Sequence, residues 1–153
     1  MRVLHLDSGR EWRGGQQQLL LLLRFLEAGG CAVAAACRDG SPLAARLGAA
    51  GRGCFPWLAP GEGGLRALRR LDRAIGEFRP DILHCHDARS ILPALWAGRR
   101  RKVKVIAHRR VDFPVGRLAA AVKYRPLEAV VAVSGRIKEI LAARGIAAAR
   151  ILV

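Results

Sequence analysis

At 153 residues the chain has room for one ordinary core and none for a second full domain. Its 52% hydrophobic content excludes wholesale disorder, and its longest apolar run, Leu19 to Leu23, is closed by Arg24, far short of the ~20 residues a membrane-spanning helix needs. A net charge of +15, carried mostly by arginine, draws the surface toward anionic membranes, phosphorylated substrates and nucleic acids. Aromatic residues make up only 5% of the chain, which argues against a base-stacking platform for single-stranded nucleic acid.

In chain order, residues 3–6 read as a first strand entered directly from Met1, with neither a basic-then-apolar leader nor a small-residue cleavage site. Leu19, Leu22, Leu23 and Leu26 then recur at helical spacing until Gly29 and Gly30 stop the helix. Residues 31–37 read as a second strand, 43–50 as a short helix and 53–58 as a third strand. Leu65, Leu68, Leu71, Ile75 and Phe78 form the apolar face of a helix whose other side carries Arg66, Arg69, Arg70 and Arg73. A fourth strand is expected over 81–86, a helix over 90–99 and a fifth strand over 103–107, followed by a loop over 108–116. Helix over 118–124, a sixth strand over 129–133, a helix capped by Ser134 and a seventh strand at 151–153 complete the pattern.

Strands alternating with helices from end to end predict an α/β fold, a doubly wound Rossmann-like parallel sheet occupying 1–153. Ligands of such sheets bind beyond the carboxyl ends of the strands. Cys31, Cys37, Cys54 and Cys85 form no CxxC pair and sit in apolar stretches, which suits free thiols in a reducing, cytoplasmic setting.

The four histidines, His5, His84, His86 and His108, fall in or at the ends of the first, fourth and fifth strands. His84 and His86 are two apart, so a strand points both to one face and Cys85 to the other. Such a pair can hold a metal in a hydrolase, but Asp87 follows directly and further ligands are hard to place, so no metal and no cofactor are expected. Gly14 and Gly15 at a helix N-terminus offer backbone N–H groups and a positive dipole end to a phosphate. They belong to neither a GxGxxG fingerprint nor a P-loop, because Gln16 and Gln17 stand where Lys and Ser or Thr are required. Arg109 and Arg110, beside Asp112, suit phosphate or carboxylate groups.

Four segments in order, 2–6 with Gly14-Gly15-Gln16, then 81–86, then 105–109, then Ala132-Val133-Ser134, resemble the N-terminal domain of family-4 retaining glycosyltransferases of the GT-B fold, closest to those of bacterial cell-surface polysaccharide and lipopolysaccharide. The resemblance implies that Gly14 and Gly15 approach the donor diphosphate and that His108 lies beside the transferred sugar. It also implies that Arg109, Arg110, Asp112, His84 and His86 face a phosphorylated or lipid-linked acceptor. The nucleotide-sugar donor would be held mostly by a C-terminal domain absent from these 153 residues, so the chain alone is expected to be inactive. Peripheral attachment to the inner face of an anionic membrane is expected through Arg66, Arg69, Arg70 and Arg73, and nucleic acid is not an expected partner. Two alternatives remain open at this point: a basic Rossmann-like module binding anionic lipid or nucleic acid, and a metal-dependent hydrolase using His84 and His86.

Overall fold

A computed structural model describes residues 1–59 and 64–153. Seven strands, β1 (Arg2–Leu6), β2 (Ala32–Arg38), β3 (Cys54–Leu58), β4 (Ile82–Cys85), β5 (Lys104–Arg109), β6 (Ala129–Ala132) and β7 (Ile151–Leu152), form one sheet in the order β3-β2-β1-β4-β5-β6-β7. Every pairing is parallel. The chain starts mid-sheet, winds outward to β3, returns to lay β4 beside β1, and then winds outward the other way. The direction of winding therefore reverses between β1 and β4, and that is where a crevice opens in doubly wound sheets.

The helices are α1 (Gly14–Ala28), α2 (Pro42–Ala49), α3 (Gly64–Phe78), α4 (Ile91–Arg101), α5 (Arg117–Ala119) and α6 (Gly135–Ala142). Right-handed crossovers put helices of the outward and return windings on opposite faces. Leu19 and Leu23 of α1 and Leu43 and Leu47 of α2 accordingly pack on Ala35 and Cys37 of β2, forming one core. The larger core lies on the other face, where Leu71 and Ile75 of α3, Ile91 and Ala94 of α4, and Ile137 and Leu141 of α6 meet Leu4, Leu6, Leu83, Ala107 and Val130. Neither core extends over the α1 side of β5, β6 and β7. Ile106 and Val131 are only half-buried there, and Val133 and Leu152 are exposed.

Most expected elements lie where hydrophobic periodicity puts them, and the differences have local causes. β5 does not stop at Ala107 but runs through His108 and Arg109, because backbone pairing with β6 carries on opposite Val131 and Ala132 after the apolar run has ended. Helix α5 continues as a π-helical turn over Ala120–Tyr124, closed by Arg125 N–H to the Ala120 carbonyl at 2.9 Å. Ser134 caps α6 as expected, its hydroxyl accepting from the Ile137 N–H at 3.3 Å. All four cysteines are free thiols; Cys37 and Cys85 are buried, while Cys31 and Cys54 are half-buried.

Candidate functional site

Parity along the strands assembles the site. His5 of β1 lies opposite His84 of β4, and His84 lies opposite Ile106 of β5. Because alternate residues share a face, His5, His84, His86 and His108 all project to the side away from the larger core. The rings touch: His84 and His86 centroids are 4.3 Å apart, and His84 stacks on His108 at 5.6 Å with planes inclined by 7°.

Hydrogen bonds fix the proton positions. Arg110 Nη2 lies 2.7 Å from His86 Nδ1, and a guanidinium can only donate, so Nδ1 is the acceptor and the ring proton sits on Nε2. His86 Nε2 then donates to His5 Nδ1 at 2.9 Å. The His5 proton is left on Nε2, which is buried without a partner among the described residues. Burial lowers the pKa of His5 to about 4. Burial, reinforced by Arg110, does the same to His108. His84 and His86 are lowered by burial and then by the neighbouring imidazoles and Arg110. The group is a chain of neutral imidazoles at neutral pH.

His5, His84 and His86 each bring a nitrogen within 4.8 Å of the others, the kind of grouping that can hold a metal. Yet the proton on His86 Nε2 already occupies the position a cation would take, and the Arg110 charge stands on the other side of the same ring. This geometry favours a hydrogen-bonded relay over the ligand set of a metal hydrolase.

In front of His86, at the winding reversal, the β1–α1 and β4–α4 loops enclose a cleft of about 530 Å3. Two carboxylates build its walls. Asp7 is buried at the end of β1; it accepts from Gln16 Nε2 at 3.0 Å and from the Gly9 N–H at 2.9 Å, and burial raises its pKa. Gln16 also accepts from the Arg13 N–H through Oε1, so one side chain ties the helix start to the strand end. Asp87 accepts from the Ser8 N–H at 2.7 Å and the Ser8 hydroxyl at 2.9 Å, and from the N–H groups of Arg89 and Ser90, joining the two loops. Asp7, Gln16 and the loop-joining role of Asp87 escaped sequence reading; the available signal was a carboxylate just past each of two strand ends.

The expected site residues divide. Gly15, His86 and Arg110 line the cleft. A Cβ on Gly15 would come within 3.1 Å of Arg110 Nη1, so the start of α1 lies directly against that guanidinium. Gly14 and Asp112 are exposed and lie outside the cleft wall. His84 and half-buried His108 form a layer beside and behind His86. The acceptor contact expected of Arg109 needs correction. Because β5 extends through it, Arg109 faces opposite to His108; it is buried, donates to Tyr124 Oη at 2.9 Å and to the Phe113 carbonyl, and pins the loop after β5 to the π-helical turn. The expected role of His84 is corrected similarly, since it is buried within the imidazole group.

A family model for Glycosyltransferase Family 4 matches residues 12–153. The chain belongs to that family. Among solved structures, this family-4 domain superposes on HepE from Anabaena in complex with UDP-glucose with a TM-score of 0.81 at 11% identity, over 99% of this chain and 42% of HepE. The lipopolysaccharide outer core galactosyltransferase WaaB gives 0.76 at 17% identity, over 100% of this chain and 45% of WaaB. The UDP-GlcNAc 2-epimerase of Methanocaldococcus jannaschii gives 0.71 at 14% identity, over 100% and 45%. These likenesses establish the Rossmann-like fold of the N-terminal half of GT-B proteins, and the family-4 domain spans less than half the length of each structure. Comparison with curated proteins finds no match.

Proposed function

We propose that this family-4 domain is the acceptor-side half of a retaining glycosyltransferase that moves a sugar from a nucleotide-sugar donor to a phosphorylated or lipid-linked glycan of the bacterial cell envelope. The observation that carries the reading is the meeting of Arg110, Gly15 and the start of α1 in a cleft at the winding reversal. A guanidinium, the backbone N–H groups of Gly14 and Gly15 and a positive helix dipole all favour the oxygens of a diphosphate there. Family membership and the UDP-glucose bound by HepE support a nucleotide-sugar as the ligand.

In this reading the bond from the anomeric carbon to the donor diphosphate breaks, an acceptor hydroxyl oxygen bonds to that carbon, and its proton leaves. The protein has to stabilise charge on the leaving diphosphate and hold the sugar. Arg110 and the α1 terminus contribute to the first task, with most of the neutralisation coming from a donor-binding half. Neutral, half-buried His108 is assigned a hydrogen bond to the sugar and is not assigned as a nucleophile. The half-buried Ile106 and Val131 are consistent with a second unit packing near β5 and β6, since parallel sheets are usually covered on both faces.

The test is product analysis with radiolabelled nucleotide-sugar. The 153-residue chain is expected to transfer nothing by itself, and to transfer sugar when a donor-binding half is supplied. In that joined form His108→Ala is expected to lower kcat by roughly 10²–10³, the loss typical of removing one transition-state hydrogen bond. Transfer by the chain alone overturns the half-enzyme assignment. Conversion of the nucleotide-sugar to its epimer with no transferred product overturns the transferase assignment.

A further inference from the structure

A second concavity, of about 430 Å3, lies on the opposite face of the β1 end from the histidines, between α3 and α4. The size falls within the ~300–1,000 Å3 usual for small-molecule sites. Trp57, Leu68, Leu92, Pro93 and Trp96 form its walls. Two cations, Arg38 and Arg89, and Ser8 stand at one end. The Arg89 guanidinium has no partner among the described residues, and Arg38 makes only a long contact of 3.5 Å to the Ser8 carbonyl.

Two continuities indicate what occupies this groove. Ser8 and Arg89 also line the cleft beside His86, so the cationic end opens directly into the proposed transfer site. At the other end Leu92 and Trp96 are 47% and 40% exposed, and both pass into a shallow surface with Arg99, Arg100 and Val122. The path thus runs from an apolar, basic surface through an apolar trough to two arginines at the mouth of the cleft. Its polarity matches a hydrocarbon chain ending in a phosphate, with the group beyond the phosphate delivered into the cleft.

We propose that the α3–α4 groove binds the hydrocarbon chain of a lipid-phosphate acceptor, with Arg38 and Arg89 on its phosphate. The proposal rests on the acceptor-side assignment above. It moves acceptor recognition from the loop after β5, where Arg109 is committed to Tyr124, to the trough between α3 and α4.

Intrinsic fluorescence reads the site, since Trp57 and Trp96 lie in the groove and the remaining tryptophan, Trp12, packs under Arg46. Farnesyl monophosphate is the probe, with farnesol and inorganic phosphate as controls, on the 153-residue chain and on a Trp12→Phe variant that leaves only the groove reporters. A saturable emission change is expected in both proteins with farnesyl monophosphate, a weaker one with farnesol and none with inorganic phosphate. Leu92→Glu, at a half-exposed position compatible with folding, is expected to weaken farnesyl monophosphate binding at least tenfold. Arg38→Ala combined with Arg89→Ala is expected to bring farnesyl monophosphate and farnesol close to equal affinity. No saturable change with farnesyl monophosphate, undiminished binding by Leu92→Glu, or an equal response to inorganic phosphate overturns the proposal. Binding without sugar transfer in the joined protein refutes the transferase reading alone, while transfer to a water-soluble glycan without farnesyl monophosphate binding refutes the groove alone.

Discussion

Arg110 is the residue on which the others depend. With five donors and no acceptor, it dictates the tautomer of His86 and, through it, that of His5. Holding four imidazoles neutral has a thermodynamic consequence. In the unfolded chain each takes up a proton near pH 6.5, whereas in the folded chain uptake by His5 and His108 is delayed to about pH 4. Below 6.5 the unfolded state therefore binds more protons, so stability present above that pH is lost as the pH falls toward 4. Asp7, with its raised pKa, works in the opposite direction. The melting temperature is expected to drop by at least roughly 5 °C between pH 7.5 and 5, with a shallower slope in His108→Asn. A flat profile by calorimetry would show that the imidazoles are not held neutral.

At the scale of elements, α4 is the piece that positions the β4 loop, and its seat on the sheet depends on one glycine. A Cβ on Gly98 would lie 2.6 Å from Val105 Cγ2 and 2.8 Å from the Val103 carbonyl oxygen. Neither the backbone oxygen nor the β-branched side chain yields easily. Gly98→Ala gains about 1 kcal/mol of helix propensity and meets an overpacking cost of about 1–3 kcal/mol. Net destabilisation of about 1 kcal/mol is expected in urea unfolding, and a stabilised variant would contradict this packing. On the neighbouring helix, Asp72 of α3 accepts from Arg101 Nε at 2.7 Å and Nη2 at 2.6 Å, holding α3 and α4 together behind the groove they line.

Across the whole molecule, the charge of +15 outlasts its local pairings. Arg66, Arg69 and Arg73 of α3 are exposed, and Arg70 is half-buried. Each cation near an anionic bilayer contributes on the order of 1 kcal/mol, and we propose that this face attracts the chain to anionic membrane surfaces. No helix among the described residues is long and apolar enough to cross a membrane. Sedimentation with vesicles containing phosphatidylglycerol is expected at low salt and is expected to fall as salt is raised, with little binding to neutral vesicles. Equal binding to neutral vesicles would remove this assignment.

The alternation of strand and helix, the doubly wound sheet, the four histidines at strand ends and the shared face of His84 and His86 were legible in the sequence, because periods of 2 and 3.6 residues are set by the local backbone. Gly15 at a helix start and His86 at a strand end were legible for the same reason. What the tertiary structure decided was which of these residues meet. His5 and His86 are 81 positions apart, and their 2.9 Å contact depends on the register of β1 against β4. Arg109 and Arg110, adjacent and chemically identical, part company because β5 runs one residue pair past its apolar stretch and turns one inward and one to the cleft. The apolar trough beside that cleft has walls drawn from β3, α3 and α4, and no local pattern announces residues that become neighbours only when the sheet and its helices pack.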